Sequence, residues 1–241
     1  LIGAKLEDDG PQQEKWLVDK IATSHAGVSK ASTRRRTPQQ LIDEIGASQT
    51  PVRSALAELE QAGVVFNWGH GRGVEVSPEE LSIEMLGRLS ALPQIVRFRF
   101  ERGARIKPPL ALLDRARPLL KAGAPVGWEG IALSGVPVAL QEVPRLDLVG
   151  LPRLDLVARI DRDANDFDLD LLRALDDGLE LETNVLASAP VVVTLVRSGT
   201  DFFRSVAGLD VRCATPADVL MSLLDMGLRE QALQYAKGLP Q

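Results

Sequence analysis

Between Thr37 and Val76, glycine and proline cut the chain into pieces too short for anything but brief helices and a tight hairpin. Thr37 can cap a helix that has Pro38 at its first position; Leu41, Ile42 and Ile45 recur at helical spacing, and Gly46 ends it. Ser48 or Thr50 caps the next helix, with Pro51 near its start, Val52, Leu56, Leu59 and Ala62 as apolar positions, and Gly63 at its end. Val64-Val65-Phe66-Asn67-Trp68 then alternates as a strand does, Gly69-His70-Gly71-Arg72-Gly73 turns, and Val74-Glu75-Val76 returns. Upstream, Trp16, Leu17, Ile21 and Ala22 predict a helix over 12–26 closed by Gly27, and Ser29 to Thr37 reads as a polar loop.

Helix, helix, short turn, helix, hairpin is the order of a winged helix-turn-helix, which the pattern predicts for residues 1–77. A helix that enters a major groove needs short polar and basic side chains on its first turns. Ser48, Gln49, Thr50, Arg53 and Ser54 supply them. A hairpin tip that nears phosphates needs glycine for close approach and donors to hold them, here His70 and Arg72. Arg34, Arg35 and Arg36 form a compact block suited to phosphates. The predicted roles are guanine reading by Arg53, adenine reading by Gln49, and phosphate contacts from Arg34–Arg36 and Arg72.

Net charge argues against a general nucleic-acid coat and leaves room for a local DNA-reading surface. The net charge is −5, yet residues 1–110 hold 15 Lys/Arg against 14 Asp/Glu while residues 111–241 hold 13 against 19.

Residues 78–241 read as a larger mixed α/β domain, so that the predicted class is α+β. Ser77 or Ser82 predicts a short helix through Leu86 and Leu89. Ile95–Phe100 alternates apolar and basic residues, predicting a strand with Phe98 and Phe100 in the core and Arg97 and Arg99 solvated. A helix is expected from Leu110 to Leu120, and Gly130–Leu140 reads as a small-residue helix or a strand entering a turn. The near-duplicates Pro144–Val149 and Pro152–Val157 predict neighbouring strands joined by Gly150. Further expectations are a helix over Asp168–Leu175, a buried strand over Val191–Val196, a short helix over Asp201–Val206 and a strand over Asp210–Cys213. Thr215 and Pro216 open a helix running to about Met226, and a last helix covers Arg229–Lys237.

Catalytic patterns do not assemble. One cysteine, Cys213, excludes an intramolecular disulfide, and with only His25 and His70 there is no basis for a zinc site or a Ser-His-Asp triad. A nucleotidyltransferase needs a Gly-Ser turn before paired carboxylates; Ser134-Gly135 has the reverse order, and Asp147 and Asp155 fall on separate predicted strands. The segment 147–170 lacks the lysine of a metal-dependent nuclease. Asp161, Asp163, Asp166, Asp168 and Asp170 are spaced like calcium ligands but lack the glycine and closing glutamate, and read as an acidic solvated loop. The expectation is therefore no enzyme, no catalytic residue, no metal and no cofactor. No apolar run nears the roughly 20 residues that span a bilayer, so a soluble, cytoplasmic protein without membrane contact is expected.

The segment Leu41–Val76 resembles the winged helix of GntR-type regulators, above all in Thr50-Pro51-Val52-Arg53-Ser54-Ala55-Leu56-Ala57-Glu58-Leu59-Glu60-Gln61-Ala62-Gly63-Val64-Val65 and Gly71-Arg72-Gly73-Val74. With Val126–Val157 and the ending Ala214–Asp225, the whole resembles the antitoxins of AbiE-type (type IV) toxin–antitoxin systems. That resemblance implies a transcriptional repressor that binds inverted repeats in the double-stranded DNA of its own promoter, reading with Gln49, Thr50, Arg53 and Arg72. It also implies a C-terminal domain that neutralises a nucleotidyltransferase-like toxin. The family's basic C-terminal surface is not evident here. The alternative is a ligand-sensing GntR-like regulator whose C-terminal domain binds a small molecule.

Overall fold

A computed structural model describes residues 36–45, 49–61, 65–67, 73–76, 82–83, 94–160, 167–184, 187–197 and 203–239. The helix expected over 12–26, Leu86 and Leu89 of the expected short helix, and Asp161, Asp163 and Asp166 lie outside these residues.

Helix α1 (Pro38–Ile45) begins where Thr37 predicts. The Gln40 N–H donates to Thr37 Oγ1 at 3.2 Å and the Thr37 N–H donates to Gln40 Oε1 at 2.8 Å. This reciprocal box satisfies donors that the first helical turn otherwise leaves open. Helix α2 (Gln49–Gln61) buries Val52, Leu56 and Leu59, and Leu41 of α1 is fully buried. Strands β1 (Val65–Asn67) and β2 (Val74–Val76) pair antiparallel with Phe66 opposite Glu75; Val65 and Val74 are buried and Phe66 is exposed. Arg36 exchanges both backbone hydrogen bonds with Val74, at 3.2 and 2.8 Å. The chain entering α1 thereby joins the ribbon as a one-residue third strand.

The remaining strands are β3 (Gln94–Phe100), β4 (Ile131–Leu133), β5 (Leu154–Ile160), β6 (Leu179–Glu182), β7 (Val191–Arg197), β8 (Arg204–Val206) and β9 (Leu209–Cys213). They form one mixed sheet of seven strands in the order β6-β3-β7-β5-β4-β9-β8. The β5–β7 and β4–β9 pairs are parallel and the others antiparallel. Helices α3 (Pro109–Leu119), α4 (Val136–Glu142), α5 (Pro216–Asp225) and α6 (Arg229–Gly238) accompany it, and the class is α+β. Strand β5, between β4 and β7, is buried almost throughout, as is Val191–Val196. Strands covered on both faces read as continuous apolar runs, which is why Val191–Val196 shows no alternation.

Two bolts fasten the irregular connections. Arg212 on β9 donates to the carbonyls of Ile131 (3.1 Å), Lys121 (3.2 Å), Leu119 (3.2 Å) and Trp128 (2.7 Å). Tyr235 on α6, fully buried, donates to Glu142 Oε2 at 2.6 Å, and Arg204 Nη2 reaches the same oxygen at 2.6 Å. Burial pushes the Tyr235 hydroxyl well above its usual range, and the Glu142 charge adds to that.

Several expectations are corrected. Leu146–Val149 is not a strand: Gly150 sits at φ +79° and Pro152 has no N–H to give a ladder, so only the second copy of the duplicate enters the sheet, as β5. Asp147 therefore lies on a surface turn, not on a strand. The short helix expected over Asp201–Val206 gives way to strand β8, because Ala207 and Gly208, the latter at φ +82°, fold Arg204–Val206 back on β9 as a hairpin. Asp168–Leu175 is a 3-10 turn, Leu169–Ala174, capped by the Asp168 side chain through the Asp170 N–H at 3.0 Å. Gly130–Leu140 contains both a strand and a helix, β4 and α4, joined at Ser134-Gly135. Among the described residues no helix is long and apolar enough to cross a membrane.

Candidate functional site

Helix α2 divides cleanly. Val52, Leu56 and Leu59 face inward, while Gln49, Thr50 and Arg53 are exposed and Ser54 is half-buried. The 3.6-residue period puts Gln49 and Arg53 on one line, with Thr50 beside them, on the first two turns. Further along the same exposed face come Ala57, Glu60 and Gln61, so the cationic group lies toward the N-terminal half. Among the described residues Arg53 forms no ion pair. Asp43 accepts from Gln39 Nε2 at 2.9 Å. Arg36 is half-buried and held by its backbone to Val74. Arg34, Arg35, Ser48, His70 and Arg72 lie outside the described residues.

A second cluster sits in the sheet, and sequence reasoning did not find it. Arg97 of β3 donates from Nη2 to Asp225 Oδ1 at 2.6 Å. Asp225, the last residue of α5, meets Arg153 Nη2 through its other oxygen at 2.8 Å. Arg153 in turn donates from Nε and Nη2 to Asp155 Oδ1 at 2.9 and 2.8 Å. The result is a chain of alternating charge, Arg97–Asp225–Arg153–Asp155, that ties α5 to β3 and β5. Its outer members keep 12–15% of their side-chain surface, so the expectation of a solvated Arg97 is corrected: the face of β3 it occupies is capped by the end of α5. Arg99, two residues on, is half exposed and pairs with Glu180 at 2.8 Å and Glu182 at 3.3 Å.

Asp155 is the buried end of the chain. Its Oδ2 has no hydrogen-bond partner and points at Gly135, where a Cβ would come within 2.7 Å of it. Burial pushes the Asp155 carboxyl up to about 6, against the opposing pull of Arg153; Asp225 adds to the rise. Beside it the Ser134 N–H donates to the Asp155 carbonyl at 3.0 Å, and the Ser134 and Ser222 hydroxyls lie 2.9 Å apart. The sequence signal for this cluster is a charge inside an apolar strand, Leu-Asp-Leu-Val, preceded by arginine. Arg97 and Asp225 come from distant segments and carry no such local sign.

The chemistry of the cluster is compensation. Each carboxylate faces a guanidinium, so neither is placed as a nucleophile or as a metal ligand. Among the described residues no group of three or more His, Cys, Asp or Glu is arranged to hold a metal ion. Cys213 is fully buried, and burial pushes its thiol up to about 11, away from the reactive thiolate. No family model, no curated protein and no solved structure matches the chain.

Proposed function

We infer that the chain is a sequence-specific DNA-binding transcriptional regulator in which residues up to Val76 act as a winged helix-turn-helix. The observation that carries the reading is the division of α2. One face is buried with α1, and the first turns of the other present Gln49, Thr50 and Arg53, which forms no ion pair among the described residues. The ribbon of β1 and β2, joined by Arg36 immediately before α1, supports the same reading, since a wing is a strand pair anchored on the helices it flanks. In this reading Arg53 contacts guanine and Gln49 adenine, while Thr50, Ser54, Arg36 and the more distant Arg34, Arg35, His70 and Arg72 position the duplex.

The resemblance to AbiE-type antitoxins extends the proposal to repression of the chain's own promoter. It assigns the sheet domain to neutralising a nucleotidyltransferase-like toxin, with no catalysis by the chain itself. The test is a fluorescence-anisotropy titration of the full chain with DNA from upstream of its own gene and with scrambled DNA, at two salt concentrations. Preference for the upstream sequence, with affinity falling as salt rises, is the expected result. Equal affinity for both sequences, or no binding, overturns the reading.

A further inference from the structure

Pro144-Arg145-Leu146-Asp147-Leu148-Val149 is repeated residue for residue eight positions later as Pro152–Val157. The second copy leads into the buried strand β5 and supplies two members of the ion-pair chain. The first copy is anchored by its leucines, with Leu146 buried and Leu148 half-buried, while its charges lie at the surface: Arg145 and Asp147 are exposed and make no ion pair among the described residues, and Val149 is 97% exposed. We propose that the duplication gives β5 a second register, eight residues upstream, in which Arg145–Val149 takes the place of Arg153–Val157.

Every contact made by those five positions survives the exchange. Arg145 meets Asp147 and Asp225, Leu146 and Leu148 fill the sites of Leu154 and Leu156, Val149 replaces Val157, and the Asp147 carbonyl receives the Ser134 N–H. An offset of eight is even, so inward and outward faces of the strand are kept. The connection reaches. Gly135 abuts Asp155, and the seven residues of α4 advance about 10 Å from there. The four steps from Glu142 to Leu146 span up to about 14 Å. Eight residues move from the segment before the strand to the one after it, a change to which loop closure is only weakly sensitive. What favours the observed register is the sequel: Ala158-Arg159-Ile160 continues the strand, whereas Gly150-Leu151-Pro152 would put a glycine opposite Ile131 and Leu195 and a proline opposite Arg197.

The test is Asp155→Lys in the full chain. In the present register it sets an ammonium against Arg153 and Arg97; in the second it leaves the interior and Asp147 replaces it. The expected result is a retained cooperative unfolding transition, with hydrogen-exchange protection moved from residues 154–160 to 146–152. Adding Asp147→Lys closes both registers and should abolish the transition. Loss of the transition in Asp155→Lys alone, or protection still on 154–160, overturns the proposal. Independently, Gly150→Ala with Pro152→Ile removes the handicap of the second register. Two sets of slowly exchanging methyl signals are expected for Leu133 and Val193, and a single unchanged set overturns it.

Discussion

Arg97 and Asp225 stand 128 residues apart in sequence and 2.6 Å apart in the fold, and their contact ties the end of α5 by charge to β3. Because Asp225 also holds Arg153, removing its charge strands Arg97 and leaves Arg153 to Asp155 alone, with little water to compensate. Asp225→Asn is expected to cost about 3 kcal/mol by urea denaturation, whereas Arg97→Met, which keeps the apolar stem and leaves Asp225 paired, should cost less than half as much. Equal losses would show that the chain of charges does not act as a unit.

Asp155 makes stability depend on pH in the sense opposite to most carboxylates. Its folded-state value, about 6, exceeds the ordinary 3.8, so between these limits the folded protein binds more protons than the unfolded chain. Its contribution therefore falls as pH rises through that window, by about 3 kcal/mol in all. Asp176 has the contrary sign: burial raises it, but the hydrogen bond and charge of Lys107, with Arg115 at 2.7 Å, outweigh burial and hold it low. Comparing the chain with Asp155→Asn cancels Asp176 and the other groups that do not touch Asp155. The difference in unfolding free energy between the two should decline from pH 4 to pH 7; a difference that stays flat or grows refutes the assignment.

Gly135 is required by space as well as by backbone. It lies at φ +67°, ψ −146°, and a Cβ would approach Asp155 Oδ2 to 2.7 Å and Asp155 Cβ to 2.9 Å. Gly135→Ala should cost about 3 kcal/mol, seen as a lowered Tm. Gly123 has φ +78° with nothing within 4 Å of its would-be Cβ, so Gly123→Ala isolates the backbone part and should cost about 1 kcal/mol.

Arg53 and Leu41 separate binding from folding. Arg53→Ala should leave stability within about 0.5 kcal/mol and weaken DNA binding by about 1–3 kcal/mol, confined to one base position. A uniform loss across all sequences would make Arg53 a phosphate contact. Leu41 is fully buried, and Leu41→Ala should cost about 2–4 kcal/mol in folding.

Features written in local chemistry were legible. Thr37 and Thr215 each cap a helix with proline at its start, and the second N-cap accepts from the Asp218 N–H at 3.3 Å. The apolar run at Val191–Val196 is the inner strand its composition suggests. What failed depended on competition between segments. Two copies of one motif look alike, and only the three residues after each decide which enters the sheet. Arg97 looks solvated by alternation alone, because the carboxylate that covers it arrives from another helix. Of the α2 face, Gln49, Thr50 and Arg53 stand exposed as the pattern of apolar positions requires. The burial of Asp155 was not legible because it is set by the neighbours of β5 and not by its own composition.

Arg212 fastens the stretch between α3 and β4 by gripping main-chain oxygens at Leu119, Lys121, Trp128 and Ile131. Such a grip is indifferent to which side chains those residues bear. Between Lys121 and Val126, Gly123 and the core-packed Ala124 apart, the sequence can thus drift while its ends stay pinned. Position 212 has no comparable freedom: a lysine carries its three donors on one nitrogen and cannot straddle four carbonyls.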